Sequence, residues 1–119
     1  MRVSVGMSEV VLRVGPDHTL RDAASRMVGH GVGAAIVEDD EWPVPRIITE
    51  RDILKALGTG LDPDSERVGD HMSESVITAS PEWSMERAAM EMSRRSIRHL
   101  VIYREGELVG VLSMRDIMR

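Results

Sequence analysis

Apolar residues recur along this chain in two periods, one strand-like and one helical, and the alternation happens twice. A short extended run at 10–14 and Pro16 lead into Leu20, Ala23, Ala24, Met27 and Val28, which share one helical face. Thr19 precedes that stripe and Asp22 stands three positions on, the pattern of a capping box at a helix start. Gly29 and Gly31 predict the helix end. Two strand-like runs follow, 32–37 and 46–48, joined by the acidic loop Glu38-Asp39-Asp40-Glu41-Trp42-Pro43. A last helix is predicted to begin at Thr49 and run through Ile53, Leu54 and Leu57. The same order then returns. An extended run at 75–79 and Pro81 lead to Ser84 as helix cap, and Met85, Ala88, Ala89 and Met92 repeat the stripe until Arg95-Ser96. Strands at 97–103 and 108–112 flank the turn Arg104-Glu105-Gly106-Glu107, and a short final helix starts at Ser113, with Arg119 the last residue.

The recurrence is an internal repeat. An offset of 65 places Met7-Ser8-Glu9 on Met72-Ser73-Glu74, Pro16 on Pro81, Thr19 on Ser84, Ala23-Ala24 on Ala88-Ala89, and Ile36-Val37 on Val101-Ile102. One residue is lost in the following turn, and an offset of 64 then carries Arg46-Ile47-Ile48-Thr49-Glu50-Arg51-Asp52-Ile53 onto Gly110-Val111-Leu112-Ser113-Met114-Arg115-Asp116-Ile117. The reading is an α+β fold of two β-α-β-β-α repeats, the first over 1–57 and the second over 66–119. Residues 58–65, rich in Gly, Asp and Pro, read as a linker. A repeat of roughly 60 residues buries too little apolar surface to be comfortable alone. The two are therefore expected to pack as a pseudo-twofold pair.

Composition narrows the chemistry. Phe is absent and Trp42, Trp83 and Tyr103 are the aromatic residues, so the core has to be built from Val, Ile, Leu, Ala and Met. With no cysteine there is no disulfide framework and no thiol nucleophile, which suits a reducing, cytoplasmic setting. No apolar run approaches the roughly 20 residues of a membrane span. A net charge of −5 argues against nucleic-acid binding by the whole surface, yet leaves room for a local anion site lined by arginines. His18, His30, His71 and His99 show no metal-ligand spacing. Gly29-His30-Gly31-Val32-Gly33-Ala34 spells a dinucleotide-binding fingerprint, but it follows a helix and precedes a strand, the reverse of that motif's setting. No Gly-Lys-Ser/Thr loop and no Gly-x-Ser-x-Gly elbow is present, so no catalytic residues are assigned. The acidic run 38–41 reads as a solvated loop.

The doubled hydroxyl-x-x-Asp-Ile signature, each copy at a strand-to-helix junction, resembles the CBS domain family (named after cystathionine β-synthase), here as the tandem pair called a Bateman module. The second repeat is the closer match, through Ile97-Arg98-His99-Leu100-Val101-Ile102 and the stretch 108–117. The resemblance implies adenosine-containing ligands bound in clefts between the repeats, pairing of two modules into a homodimeric disc, and regulation without catalysis. AMP, ADP, ATP or S-adenosylmethionine would then be regulatory ligands, and an effector protein the partner that responds.

The chemistry of the signature agrees with such a ligand. An ionised Asp52 or Asp116 accepts hydrogen bonds from both hydroxyls of a ribose, each charge-assisted bond contributing roughly 1.5–3 kcal/mol. Thr49 or Ser113, with the N–H groups of a helix start, suits a phosphate, and Arg98, Arg115 and Arg51 add charge. Ile48, Leu112 and Ile77 are candidates to sandwich a flat base. His99 reads either as a half-buried strand residue or as a group at the mouth of the site. The alternative for both signatures is plain: Thr49-x-x-Asp52 and Ser113-x-x-Asp116 are also capping boxes with Asp in the usual Glu place. The repeats differ as well. Arg46 stands where Gly110 stands, and Gly33-Ala34 where Arg98-His99 stand, so the two sites should not be equivalent and Ser113 with Asp116 makes the better candidate. The competing function is a structural dimerisation or protein-interaction module with no small-molecule ligand.

Overall fold

Both helical stripes and all four strand runs form in the computed structural model, which describes residues 1–118. Chain order is α1 (Val3–Gly6), β1 (Arg13–Val14), α2 (Leu20–His30), β2 (Ala34–Val37), β3 (Arg46–Thr49), α3 (Glu50–Gly58), a 3-10 turn (Val68–Asp70), β4 (Thr78–Ala79), α4 (Met85–Arg95), β5 (His99–Arg104), β6 (Glu107–Ser113) and α5 (Met114–Ile117). Two three-stranded sheets result, ordered β1-β2-β3 and β4-β5-β6, each with one parallel and one antiparallel pair. They belong to two compact units, one of Leu12–Val76 and the other of Met1–Val11 with residues 77–118.

In the unit Leu12–Val76, Ala35 and Val37 of β2 and Ile48 of β3 alternate inward to meet Leu20, Ala23 and Met27 of α2 and Ile53 and Ala56 of α3. Each fully buried Leu, Ile or Met contributes about 1.5–3 kcal/mol of burial free energy. Thr19 caps α2 by accepting from the Asp22 N–H at 3.1 Å, but the expected reciprocal bond is replaced: the Asp22 carboxylate pairs with Arg26 at 3.3 Å. The helix passes Gly29 and closes at Gly31, whose φ of 65° is the left-handed conformation that glycine adopts freely. Val28, expected on the inner face, is 83% exposed. The buried positions Leu20, Ala23 and Met27 define the stripe, and the helical rotation per residue carries position 28 past its edge. Leu54 and Leu57 of α3 also face outward.

The other unit repeats the plan. Leu100 and Ile102 of β5 and Leu112 of β6 pack on Ala88 and Met92 of α4, and Trp83 and Met85 close one end. The Ala/Met stripes therefore build each unit's own core, and among the α4 methionines Met90 alone is left exposed.

A strap completes each unit. Residues 58–65, read as a linker, are tied to α2: the Leu20 and Arg21 N–H groups donate to the carbonyls of Glu66 (2.9 Å) and Pro63 (3.0 Å), and Arg21 pairs with Asp64. The Val68 N–H then donates to His18 at 2.8 Å and that of Gly69 to Pro16 at 2.9 Å, leaving the Val68 side chain fully buried. The N-terminal residues do the same for α4. Met85 N–H donates to Met1 at 2.9 Å, Val3 to Trp83 at 2.8 Å and Ser4 to Pro81 at 2.9 Å, with Val3 fully buried. Every one of these backbone bonds has its counterpart at the 65-residue offset, apart from the Arg21–Pro63 bond. Residues 1–9, which open the first sequence repeat, thus complete the unit that holds the second, and 66–74 complete the unit that holds the first. Arg2-Val3 and Arg67-Val68 are identical pairs at the same offset, so both straps use the same residues.

Candidate functional site: two hydroxyl–carboxylate turns

The turn at Ser113 is set by strand register. His99 pairs with Ser113 across β5 and β6, so the end of β6 lies beside the start of β5. The Met114 N–H donates to the Arg98 carbonyl at 2.8 Å, which fixes where α5 begins. Ser113 N–H donates to Asp116 Oδ2 at 2.9 Å, and Asp116 N–H donates to Ser113 Oγ at 3.2 Å. Register and capping together gather Arg98, His99, Ser113, Arg115 and Asp116 around one turn. Ser113, His99 and Asp116 are half-buried, whereas the side chains of Arg98 and Arg115 are exposed. Among the described residues neither arginine forms an ion pair.

Two of the expected base-contacting residues sit elsewhere. Leu112 is fully buried in the core of its unit, and so is Ile48 in the other. Strand alternation turns both toward the helices, which removes them from any surface a flat base could meet. Ile77 is half-buried and packs against the same core as Leu112.

The turn at Thr49 has the same backbone plan. Ala34 pairs with Thr49, and the Glu50 N–H donates to the Gly33 carbonyl at 2.9 Å. The hydrogen bonds differ in one respect. Asp52 Oδ2 accepts from both the Thr49 N–H (2.8 Å) and the Thr49 hydroxyl (3.1 Å). The Thr49 proton is thereby directed into the carboxylate, while both hydroxyl residues close a capping box with their Asp. Arg51 lies exposed on the first turn of α3. Arg46, the departure from the second repeat, stacks 4.1 Å over Trp42 and pairs with Glu74 at 3.3 Å.

Two further features explain the departures. A Cβ at Gly110 would lie 2.8 Å from the Ser8 carbonyl and 2.9 Å from Met7 Sδ, because Ser8 bridges Val111 there. A side chain at that position has no room. A Cβ at Gly33 would lie 3.0 Å from Glu50 Cδ and 3.1 Å from each of its carboxylate oxygens. Glu50 therefore rests over Gly33, at the place where the second turn carries Arg98. Sequence reading missed Glu50; the signal was the missing side chain at position 33. Among the described residues no group of three or more His, Asp or Glu is placed to hold a metal ion, and no helix is long and apolar enough to cross a membrane.

Two strand–helix turns of one design, on two sheets of one topology, are the hallmark of a duplicated module. The CBS domain family profile matches residues 2–59 and 68–119. The chain belongs to the CBS domain family. An uncharacterised protein of Methanopyrus kandleri is 33% identical over 122 residues, covering 98% of this chain and 62% of that protein. The chain thus spans less than two thirds of that relative's length. Among solved structures, a hexameric CBS-CP12 protein from bloom-forming cyanobacteria matches with a TM-score of 0.91 at 27% identity, over 99% of this chain and 70% of its own. A CBS domain protein from Pyrobaculum aerophilum complexed with AMP matches with a TM-score of 0.82 at 34% identity, over 98% of this chain and 89% of its own. The family assignment carries the α+β tandem fold with it.

Proposed function

We propose that this CBS pair is a non-catalytic sensor that binds an adenosine-containing ligand at its hydroxyl–carboxylate turns, chiefly at Ser113 and Asp116. The observation that carries the reading is the gathering on one turn of Ser113, Asp116 and two arginines, Arg98 and Arg115, that form no ion pair among the described residues. The AMP complex of the Pyrobaculum protein supports the ligand class. In this reading Asp116 receives the ribose hydroxyls, and Ser113 with the arginines receives phosphate. His99 lies beside them. Binding would bias one conformation of a cytoplasmic homodimer over another, and so its contact with an effector protein.

A second reading has an observation of its own. Both carboxylates already accept the N–H of their own cap residue, which is what a helix cap does with no ligand present. The chain would then be an interaction module. Thermal-shift and calorimetric titrations with AMP, ADP, ATP, NAD and S-adenosylmethionine separate the two. Saturable binding of at least one supports the sensor; folded protein that responds to none leaves the interaction module.

A further inference from the structure

The two turns share a backbone and differ in charge. The Ser113 turn carries the arginines Arg98 and Arg115 and one carboxylate, Asp116. At the Thr49 turn Gly33 replaces Arg98, Ala34 replaces His99 and Glu50 replaces Met114, so that turn carries the carboxylates Glu50 and Asp52 and one arginine, Arg51. The Glu50 carboxylate lies against Gly33, where the absence of a side chain leaves it room. Among the described residues its carboxylate forms no ion pair and accepts no hydrogen bond, so no side chain neutralises its charge at the first residue of α3. The hydroxyls differ in the same sense. Thr49 donates its proton to Asp52, which leaves no hydroxyl donor for an anion. Ser113 Oγ accepts a backbone N–H, and its own proton has no acceptor among the described residues.

We infer that Glu50 is a specificity-determining residue that makes the Thr49 turn admit nucleosides lacking phosphate and reject phosphorylated ones. The inference rests on the ligand-binding reading above and adds a division of labour between its two turns. A phosphate oriented to the hydroxyl of Thr49 meets a negative charge within a few ångströms. In a solvent-facing setting that repulsion is worth about threefold to tenfold in affinity. A ribose bound by Asp52 without phosphate avoids it, since among the described residues Asp52 Oδ1 carries no hydrogen bond.

The test is calorimetric titration of the full chain with adenosine and with AMP. An Asp116→Ala background silences the Ser113 turn, and Glu50→Gln is then added to it. The background should bind adenosine more tightly than AMP. Glu50→Gln should raise AMP affinity by about threefold to tenfold while adenosine changes by less than about twofold. The gain should shrink as salt rises to about 0.5 M, as a solvent-screened charge effect must. In the unmodified Asp116 chain, Met114→Glu should weaken AMP by a similar factor and spare adenosine. An unchanged AMP-to-adenosine ratio in Glu50→Gln would overturn the inference, and so would a background that prefers AMP. Loss of all binding in the background would overturn it too, while leaving the sensor reading in place. Only a wild-type chain that binds neither ligand removes both.

Discussion

The unit built around Thr49 and the unit built around Ser113 are two solutions to one fold, and their differences fall where packing leaves a choice. Inward positions match closely: Ala23 with Ala88, Met27 with Met92, Ile48 with Leu112, Val37 with Ile102. The strap residues Val68 and Val3 match as well, with identical burial. Divergence begins at the turn, where Gly33 and Glu50 stand in one unit at the positions of Arg98 and Met114 in the other, and at the edge position held by Arg46 or Gly110. Packing constrains the first set to apolar residues of similar size. In the second set Gly110 is closed by the Ser8 carbonyl, whereas Glu50 and Arg98 are exposed and free to set what each turn meets.

The most damaging substitutions should be those that test the exchanged straps. Val3→Ala and Val68→Ala each remove a fully buried side chain and should cost about 2 kcal/mol. Each unit carries its own reporter, Trp83 packed near the Val3 core and Trp42 near the Val68 core. Urea unfolding followed by fluorescence of single-Trp variants should show Val3→Ala lowering the Trp83 transition first, and Val68→Ala the Trp42 transition first. The opposite assignment, or no effect from either, would mean that the straps do not hold the units together.

Next in size comes the edge position. Gly110→Ala places a Cβ against the Ser8 carbonyl, a backbone atom that cannot yield cheaply, and should cost roughly 1–2 kcal/mol. Arg46→Gly, the reverse change in the other unit, removes a partly exposed stack on Trp42 and should cost about 0.5–1 kcal/mol. Equal costs in denaturant titrations would erase the distinction between a position closed by packing and one left open.

The repeat, the element order and the helix-starting residues were legible because each follows from a periodicity or a cap that local chemistry enforces. Thr19, Ser84, Thr49 and Ser113 all stand at helix starts, as their spacing to Asp or an apolar stripe required. The strap exchange was not read, because repeats aligned in sequence do not state which sheet a segment completes. That choice is made by long-range hydrogen bonds such as Val3 to Trp83. Ile48 and Leu112 were placed at a ligand surface because an apolar residue beside a turn suits both a base and a core. Strand alternation decides for the core. Glu50 escaped notice because its position over Gly33 depends on what position 33 lacks.

At the turns themselves the comparison concerns ligand affinity. Asp116→Ala should weaken binding of AMP by about tenfold or more through loss of charge-assisted bonds, and cost about 1 kcal/mol of stability through loss of the cap. Asp52→Ala should carry the same capping cost, because the Thr49 N–H loses the same kind of acceptor, yet change AMP affinity by less than about twofold. Calorimetry beside thermal unfolding reads both quantities. Equal losses of AMP affinity would make the turns equivalent, and unchanged affinity in Asp116→Ala would reduce that residue to a cap.

The smallest expected effect lies on the outer faces of α2 and α4, at one position of the repeat. Position 26 of α2 is an arginine paired with Asp22, and its counterpart in α4 is Glu91, paired with Arg94 at 2.9 Å and Arg95 at 3.1 Å. Hydrogen bonds from Arg94 first, then Arg95, hold the Glu91 carboxyl below its ordinary range. A carboxylate whose folded-state pKa is depressed adds stability above its unfolded pKa, and loses it as pH falls through the folded value. α4 should therefore weaken on acidification through this residue. Glu91→Gln should lower Tm slightly near neutral pH and flatten the fall in Tm between about pH 5 and about pH 3. Because the group faces solvent, the change should be well below that of any core or strap substitution, and salt should reduce it further. A Glu91→Gln chain whose Tm falls with acid as steeply as the wild type would show that the arginine pair contributes nothing to folding.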